Sequence, residues 1–272
     1  MLKQGVRRFF RTAFLVVLVF FAAPAVAADN LYRAQTIVTG TGEANRLIGF
    51  ASCLEDALIK VSGQLRLAGD PRLEPYKKDA AKLVRDYSYR DEKGGKPKND
   101  EQGTRDRSFV LTADFDEAAI NDVLAALGAK PWLARRPVVF VYVTLQLSAR
   151  SYVVADDAKQ TDLEKQALQA AAFKRGLSLV LPDGAALRDL GARDAWRTST
   201  PSKKLAAVAA RQGGEVVLDG RLVWDEQALH WNAEWQLEGK DGKQQWRSWA
   251  VTYDEAFRQG LGGAAQIMAD KQ

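Results

Sequence analysis

Apolar residues recur along this chain with two different periods. A period of three to four residues predicts helices, and alternation of apolar and polar residues or a short apolar run predicts strands. From 43 to 61 apolar residues recur every three or four positions, which predicts a helix ended by Ser62-Gly63. Its buried stripe is expected to hold Ala44, Leu47, Ile48, Ala51, Leu54, Leu58 and Val61. Similar spacing, with N-caps and glycine stops, predicts helices over 71–84, 116–127, 162–174, 200–213 and 254–268. A capping box of Thr161 and Glu164 is expected to open the third of these.

Strand patterns occupy much of the rest of the chain. Residues 31–39 predict one strand, and residues 87–90 and 108–113 predict two paired strands. The unbroken apolar run 138–145 predicts a strand buried on both faces, followed by another at 177–181. Residues 215–224, 229–237 and 245–253 predict three antiparallel strands, with Asp241-Gly242 in the second turn. In the middle strand Leu229, Trp231, Ala233, Trp235 and Leu237 form the expected buried side.

This order of elements predicts an α/β protein of the α+β kind built from two small modules. We expect an N-terminal α+β module at 31–129 and a C-terminal α/β module at 137–270. The second module is expected to hold a mixed sheet with flanking helices and a C-terminal antiparallel three-strand meander. Between the paired strands of the first module, residues 91–107 contain no large apolar side chain, and we expect a mobile loop there.

Residues 1–27 have the order of segments found in a secretory signal peptide. Lys3, Arg7, Arg8 and Arg11 precede an apolar run at 13–23, and Ala25-Val26-Ala27 forms a small-x-small cleavage signal. The run is short for a membrane-spanning helix, which needs about 20 residues. We therefore expect export to the periplasm with cleavage after Ala27; the alternative is an uncleaved N-terminal anchor in the inner membrane.

Charge and composition exclude several classes of function. The full chain carries a net charge of +5, but residues 1–27 hold four of its 39 basic residues and none of its 34 acidic ones. Residues 28–272 therefore carry a net charge of only +1, which gives no electrostatic reason to bind nucleic acid. We expect contact with a membrane only through the signal peptide before cleavage.

Residues with catalytic or metal-binding chemistry are scarce. Cys53 is the only cysteine, lies in a strongly apolar helical pattern, and is expected to be a buried thiol. His230 is the only histidine, and its strand phase places it on a polar face without a nucleophile motif. One cysteine and one histidine exclude a zinc site built on thiolates or imidazoles. We therefore expect no catalytic residues, no metal and no cofactor.

Two features of the sequence point to binding. Five of the seven tryptophans lie at 224–249, where aromatic rings can stack on sugars. Trp231 and Trp235 are in phase with the core, whereas Trp246 and Trp249 differ in phase, so one of them is open to solvent. The second feature is the junction between the modules, where Trp132, Arg135 and Arg136 are the expected partner-binding residues, because a cleft can form where two modules meet. The alternative for Arg136 is a structural ion pair or a helix cap.

The N-terminal module and the junction resemble a family of exported bacterial proteins known as domain of unknown function 2066. The residues that carry this resemblance are Leu31-Tyr32, Arg46, the segment 57–63, Tyr87-Ser88-Tyr89, Trp132 and Arg136-Pro137-Val138. The resemblance implies no assigned reaction. More loosely, the order of elements in the C-terminal half is similar to the N-terminal domain of the Tol-Pal translocation protein, which bears on fold alone.

These observations predict an exported, non-catalytic binding or accessory protein whose partner is another protein of the cell envelope. Two alternatives stay open from the sequence. One is a periplasmic hydrolase that acts on glycan or peptide through carboxylates the sequence does not identify. The other is a glycan-binding module that uses a tryptophan of the last hairpin.

Overall fold

A computed structural model describes residues 31–91, 107–191, 202–240 and 242–272. The described chain contains helices and two β-sheets, one antiparallel and three-stranded, the other mixed, so the predicted α+β class is confirmed. The predicted signal peptide at 1–27 lies outside the described residues, as do most of the predicted loop at 91–107 and the start of the predicted helix at 200. Across the described ranges, none of the helices is long and apolar enough to span a bilayer.

The first sheet belongs to residues 33–115. Its elements are β1 (Arg33–Thr39), α1 (Glu43–Ser62), α2 (Glu74–Lys78), β2 (Val84–Asp91) and β3 (Ser108–Phe115), followed by α3 (Glu117–Ala126). The strands pair antiparallel in the order β1-β3-β2, as predicted for the two later strands. Gly63 ends α1 with a φ of 72°, and the Asp116 side chain caps α3 by accepting from Ala119 N, as the sequence predicts.

The predicted buried stripe of α1 is wrong in its first half. Ile48 is 69% exposed and Leu47 is also exposed, whereas Gly49, Phe50, Cys53 and Leu54 are buried. Gly49 explains the difference, because a Cβ there would lie 2.5 Å from a methyl of Leu111. The helix therefore packs directly on the first sheet at this glycine, and the neighbouring Leu47 and Ile48 face away from the core.

The predicted helix over 71–84 is also wrong as a single element. It consists of two 3₁₀ segments, Pro71–Leu73 and Ala80–Leu83, on either side of the five-residue α2. Pro75 accounts for the break, because a helix that began at Pro71 would need a hydrogen bond from the missing N–H of Pro75 to the Pro71 carbonyl. The chain instead restarts, with Pro75 in the first turn of α2, where no donor is needed.

The second sheet belongs to residues 139–250. Its strands are β4 (Val139–Leu147), β5 (Arg150–Val153), β6 (Leu179–Val180), β7 (Val216–Asp225), β8 (His230–Gly239) and β9 (Gly242–Ala250). Its helices are α4 (Asp162–Arg175), α5 (Gly184–Leu190), α6 (Ser202–Arg211) and α7 (Tyr253–Ala269). The main path is β5-β4-β7-β8-β9, with β6 beside β4. β4 runs parallel to β6 and β7, and β7-β8-β9 form the predicted antiparallel meander.

Helices cover both faces of this sheet over β4. On one face α4 and α7 pack on the apolar side chains of β4 and β8, and on the other α5 and α6 pack on Phe140, Tyr142 and Val217. The prediction that this strand is buried on both faces is confirmed. The predicted capping box is not formed, because the Thr161 hydroxyl bonds to Ala155 and Ala158 while Glu164 accepts from the Tyr152 hydroxyl at 2.8 Å.

The glycines of α7 allow two tryptophans to approach the helix. A Cβ at Gly260 would lie 2.5 Å from the Trp235 ring, and one at Gly263 would lie 2.8 Å from the Trp246 ring. The helix therefore lies closer to the sheet than any larger residue would permit. In β8, Trp231, Ala233, Trp235 and Leu237 are buried as predicted. Leu229 is not; it is 65% exposed, with a φ of 53°, in the turn before that strand.

Candidate functional site

The candidate site lies beside the segment 127–138, which connects α3 to β4 and contacts the ends of α1 and α4. Trp132 lies in that segment, its indole is almost fully buried, and its backbone N–H donates to the Val61 carbonyl at 2.8 Å. The Trp132 Nε1–H is buried and has no hydrogen-bond partner among the described residues. A buried donor without an acceptor is unfavourable for the free energy of folding.

Arg136 holds the ends of two helices together. Its Nη2 donates to the Lys60 carbonyl in α1 at 2.7 Å, and its Nη1 donates to the Arg175 carbonyl in α4 at 2.7 Å. A cation at the carboxyl end of a helix also interacts favourably with the helix dipole, and this one serves two helices at once. Burial lowers the pKa of Arg136 to about 10, so the guanidinium stays charged at neutral pH. The acceptors of Arg136 are backbone carbonyls of this chain, so its role in the structure is to stabilise the packing of α1 and α4.

Arg135 differs from Arg136 in exposure and in the groups it contacts. Its side chain is 72% exposed and forms a two-pronged ion pair with Glu215, including a bond of 2.8 Å from Nη1 to Oε2. Glu215 Oε2 also accepts from the Val138 backbone N–H at 3.0 Å, which holds the carboxylate just before β7. The pair therefore presents a fixed cation at the surface, open to solvent and to a ligand.

A cleft of about 540 Å³ opens beside this ion pair, and we call it the junction cleft. Apolar side chains from four separate parts of the chain line it: Trp132, Val216, Leu237 and Met268. Arg135, Glu215, Lys240 and Lys271 add charge to its lining, so basic groups outnumber acidic ones. Its volume lies in the range of small-ligand sites.

Two of the three residues predicted to bind a partner thus line the junction cleft, and the third lies behind it. Val216, Leu237 and Met268 also line the cleft, and they are not among the residues predicted to bind a partner. Each follows an ordinary core pattern of a strand or helix, and only the tertiary fold brings them to the same cleft. No local signal marks such residues in the sequence.

The other residues with candidate chemistry are separated from one another. Cys53 is fully buried, and burial raises the pKa of its thiol to about 12. His230 bonds to Asn232 at 3.1 Å, and Arg46 lies over the Tyr87 ring at 5.4 Å. Among residues 31–91, 107–191, 202–240 and 242–272, the structure contains no group of three or more His, Cys, Asp or Glu residues arranged to hold a metal ion.

Comparison with known families finds a match over less than half of the chain. Residues 25–133 are similar to the family described as "Domain of unknown function (DUF8605)". The prediction of a domain of unknown function in this region is confirmed, but the number 2066 was wrong. The longest segment behind that resemblance, 57–63, is buried at the end of α1, and such packing positions do not identify one family.

Comparison with individual proteins gives no information on function. No curated protein matches the chain. Among solved structures, the C-terminal domain of LpoB from Salmonella enterica is similar at 13% identity, with 44% of this chain and 87% of that chain covered and a TM-score of 0.30. An uncharacterized protein is similar at 10% identity over 50% of this chain and 91% of that chain, with a TM-score of 0.21. Scores this low say nothing about function, and the looser likeness to a Tol-Pal domain stays a prediction.

Proposed function

We propose that this chain is a non-catalytic binding protein of the bacterial cell envelope, and that the junction cleft holds an extended segment of a partner protein. The observation that carries the proposal is the fixed Arg135–Glu215 pair at an apolar cleft. Apolar walls supply most of the affinity of such a site, and a few oriented polar groups select the ligand.

The charges of the junction cleft favour an acidic partner segment. Arg135, Lys240 and Lys271 outnumber Glu215 in its lining. Glu215 accepts from Nη1 and Nη2 of Arg135. A guanidinium has five N–H groups, so a carboxylate on the partner would accept from those that point away from Glu215.

The envelope location rests on the sequence of residues 1–27. A basic start, an apolar run and Ala25-Val26-Ala27 support export and cleavage. N-terminal sequencing of the protein from a periplasmic fraction is expected to begin at Ala28. Intact Met1 in a membrane fraction would instead support the inner-membrane anchor.

Site-specific photocrosslinking in cells tests the proposed binding site. A photoreactive residue at Gln244, which lines the junction cleft, is expected to capture a discrete envelope protein. The same residue at Ile37, which is exposed on the first sheet, is the matched control and is expected to capture none of it. Arg135→Glu, which reverses the cation without disturbing the core, is expected to reduce the captured product at least tenfold.

Two results would contradict the proposal. Capture that is unchanged in a folded Arg135→Glu variant would remove the junction cleft as the binding site. Turnover of a peptidoglycan or ester substrate by the purified protein, abolished by replacement of a single carboxylate, would support the hydrolase alternative instead.

A further inference from the structure

A second surface, on the solvent side of β8 and β9, carries an exposed indole. Trp249 in β9 is 66% exposed, whereas Trp246, on the opposite side of the same strand, packs on Gly263 of α7. The indole of Trp249 offers one of the largest apolar surfaces of any side chain, and tryptophan is enriched at binding surfaces. The Trp249 ring lies 5.6 Å from that of His230, the only contact between two rings on this side of the meander among the described residues.

Strand register shows which residues share this surface. In β8 and β9, Trp249 lies opposite Asn232, Arg247 opposite Glu234, and Gln245 opposite Gln236. Because side chains alternate along a strand, these six project from the side opposite to buried Trp231, Ala233 and Trp235. We call this surface the indole face and define it by Trp249, His230, Asn232, Glu234, Arg247, Gln236 and Gln245.

The polar side chains of the indole face are already ordered by one another. Gln245 Nε2 donates to Gln236 Oε1 at 2.7 Å, and the Arg247 guanidinium pairs with Glu234 at 2.9 Å. His230 and Asn232 are joined at 3.1 Å. The face therefore presents planar amide, imidazole and guanidinium groups in fixed positions, and its cation is balanced by a carboxylate.

This chemistry selects among possible ligands. A nucleic acid or an anionic membrane requires an excess of cations, which the Glu234–Arg247 pair does not provide. A protein partner typically meets an apolar centre with a polar rim, whereas here one indole stands at the end of a polar row. A neutral glycan fits the row, because the C–H face of a sugar ring stacks on an indole while its hydroxyls bond to planar polar side chains.

We propose that the indole face binds a neutral glycan chain, with one sugar stacked on Trp249 and the next ones along β8 and β9 towards Gln236 and Gln245. The distance along β9 from Trp249 to Gln245 is about 14 Å, enough for a short oligosaccharide. Exposed Leu229 and Val251, at the same end of the meander, favour sugars with an acetamido group, whose methyl is apolar. The indole face shares no residue with the lining of the junction cleft, so the glycan proposal and the partner-segment proposal are tested independently.

Titration of the full protein with soluble oligosaccharides tests this site. The probes are oligomers of β-1,4-linked N-acetylglucosamine and of β-1,4-linked glucose, followed by tryptophan fluorescence and calorimetry. Saturable binding is expected, tighter for the acetylated series. Trp249→Ala is expected to weaken it at least tenfold, Trp249→Phe less, and Asn232→Ala and Gln236→Ala severalfold. Ile37→Ala, which removes an equally exposed apolar side chain from the first sheet, is expected to bind like wild type.

Three results would overturn the glycan proposal. The first is no binding of either series by folded wild-type protein, with insoluble peptidoglycan sacculi also left unbound in a sedimentation assay. The second is binding that Trp249→Ala does not change. The third is loss of a captured protein partner, and not of any glycan, in Trp249→Ala, which would make the indole face a protein contact. Junction-cleft variants such as Arg135→Glu are expected to leave glycan binding unchanged.

Discussion

The Arg136 guanidinium lies over the indole of Trp132, with 4.3 Å between the guanidinium carbon and the ring centroid. The same group also donates to carbonyls at the ends of α1 and α4, so one side chain joins a helix that packs on the first sheet to a helix that packs on the second. Its neighbour Arg135 faces solvent and pairs with Glu215. Two adjacent arginines thus have separate roles, one in holding the fold and one at the surface.

Replacement of these two arginines should separate the roles. Arg136→Ala is expected to lower the free energy of unfolding by about 2–4 kcal/mol, because it leaves buried carbonyls without their charged donor. Arg136→Lys is expected to restore only part of that stability, since one ammonium does not reach two helix ends as a planar fork does. Arg135→Ala is expected to stay within about 0.5 kcal/mol of wild type. Denaturant unfolding of the three variants measures this, and equal losses for Arg135→Ala and Arg136→Ala would contradict the assignment.

The glycines of α7 provide a second test within one helix. Gly260→Ala is expected to destabilise the protein by about 1–3 kcal/mol despite the better helix propensity of alanine, because its Cβ would meet the buried Trp235 ring. Gly262→Ala is the matched control, since the atoms nearest to its Cβ would be the movable methyls of Leu65 and Nε of Arg175. Thermal melts should therefore separate the two. A Gly260→Ala variant as stable as Gly262→Ala would show that Trp235 does not lie against the helix.

The reactivity of the Cys53 thiol measures whether the core between α1 and the first sheet excludes solvent. Burial excludes reagents and raises the pKa of the thiol to about 12, so little reactive thiolate forms at pH 8. We expect an aromatic disulfide reagent to label native protein far more slowly than protein in denaturant. Stoichiometric labelling of the native state within the mixing time would place this side of α1 in solvent.

Asp219 should make stability depend on pH. Partial burial in β7 raises the pKa of its carboxyl from 3.8 to about 6, so the folded state disfavours the charged form. The cost, at most about 3 kcal/mol, is present above pH 6 and disappears as the pH falls below about 4, where the carboxyl is protonated in folded and unfolded chains alike. Asp219→Asn is therefore expected to raise the melting temperature at pH 8 and to have little effect at pH 4.

A matched carboxyl of the same strand should behave in the opposite way. Hydrogen bonds from the Ala228 and Gln227 N–H groups lower the pKa of Asp225, so its ionised form favours the folded state. Asp225→Asn is expected to lower the melting temperature at pH 8, and this effect should shrink as the pH falls through the acid range. A gain in stability at pH 8 from Asp225→Asn, or none from Asp219→Asn, would contradict the two environments described here.

Local patterns in the sequence determined most of the elements. The ends of α1 at Gly63 and of α4 at Gly176, the N-cap Asp116, the doubly buried β4 and the β7-β8-β9 meander all depend on residues close in the chain. Periodicity and capping act over one or two turns or a single strand, so one sequence contains the information needed to predict them. The same locality made Cys53 identifiable as a core thiol.

Tertiary structure decided everything that depends on two distant segments. Apolar spacing predicted Leu47 and Ile48 to be buried, but contact of Gly49 with Leu111 turns both side chains to solvent. A glycine adds nothing to a hydrophobic pattern, although it is the residue that allows a helix to approach a sheet closely. Strand phase put Trp246 and Trp249 on opposite sides without saying which side α7 would cover. The junction cleft likewise joins Trp132 to Met268, 136 positions away, and only packing of the whole chain brings such residues together.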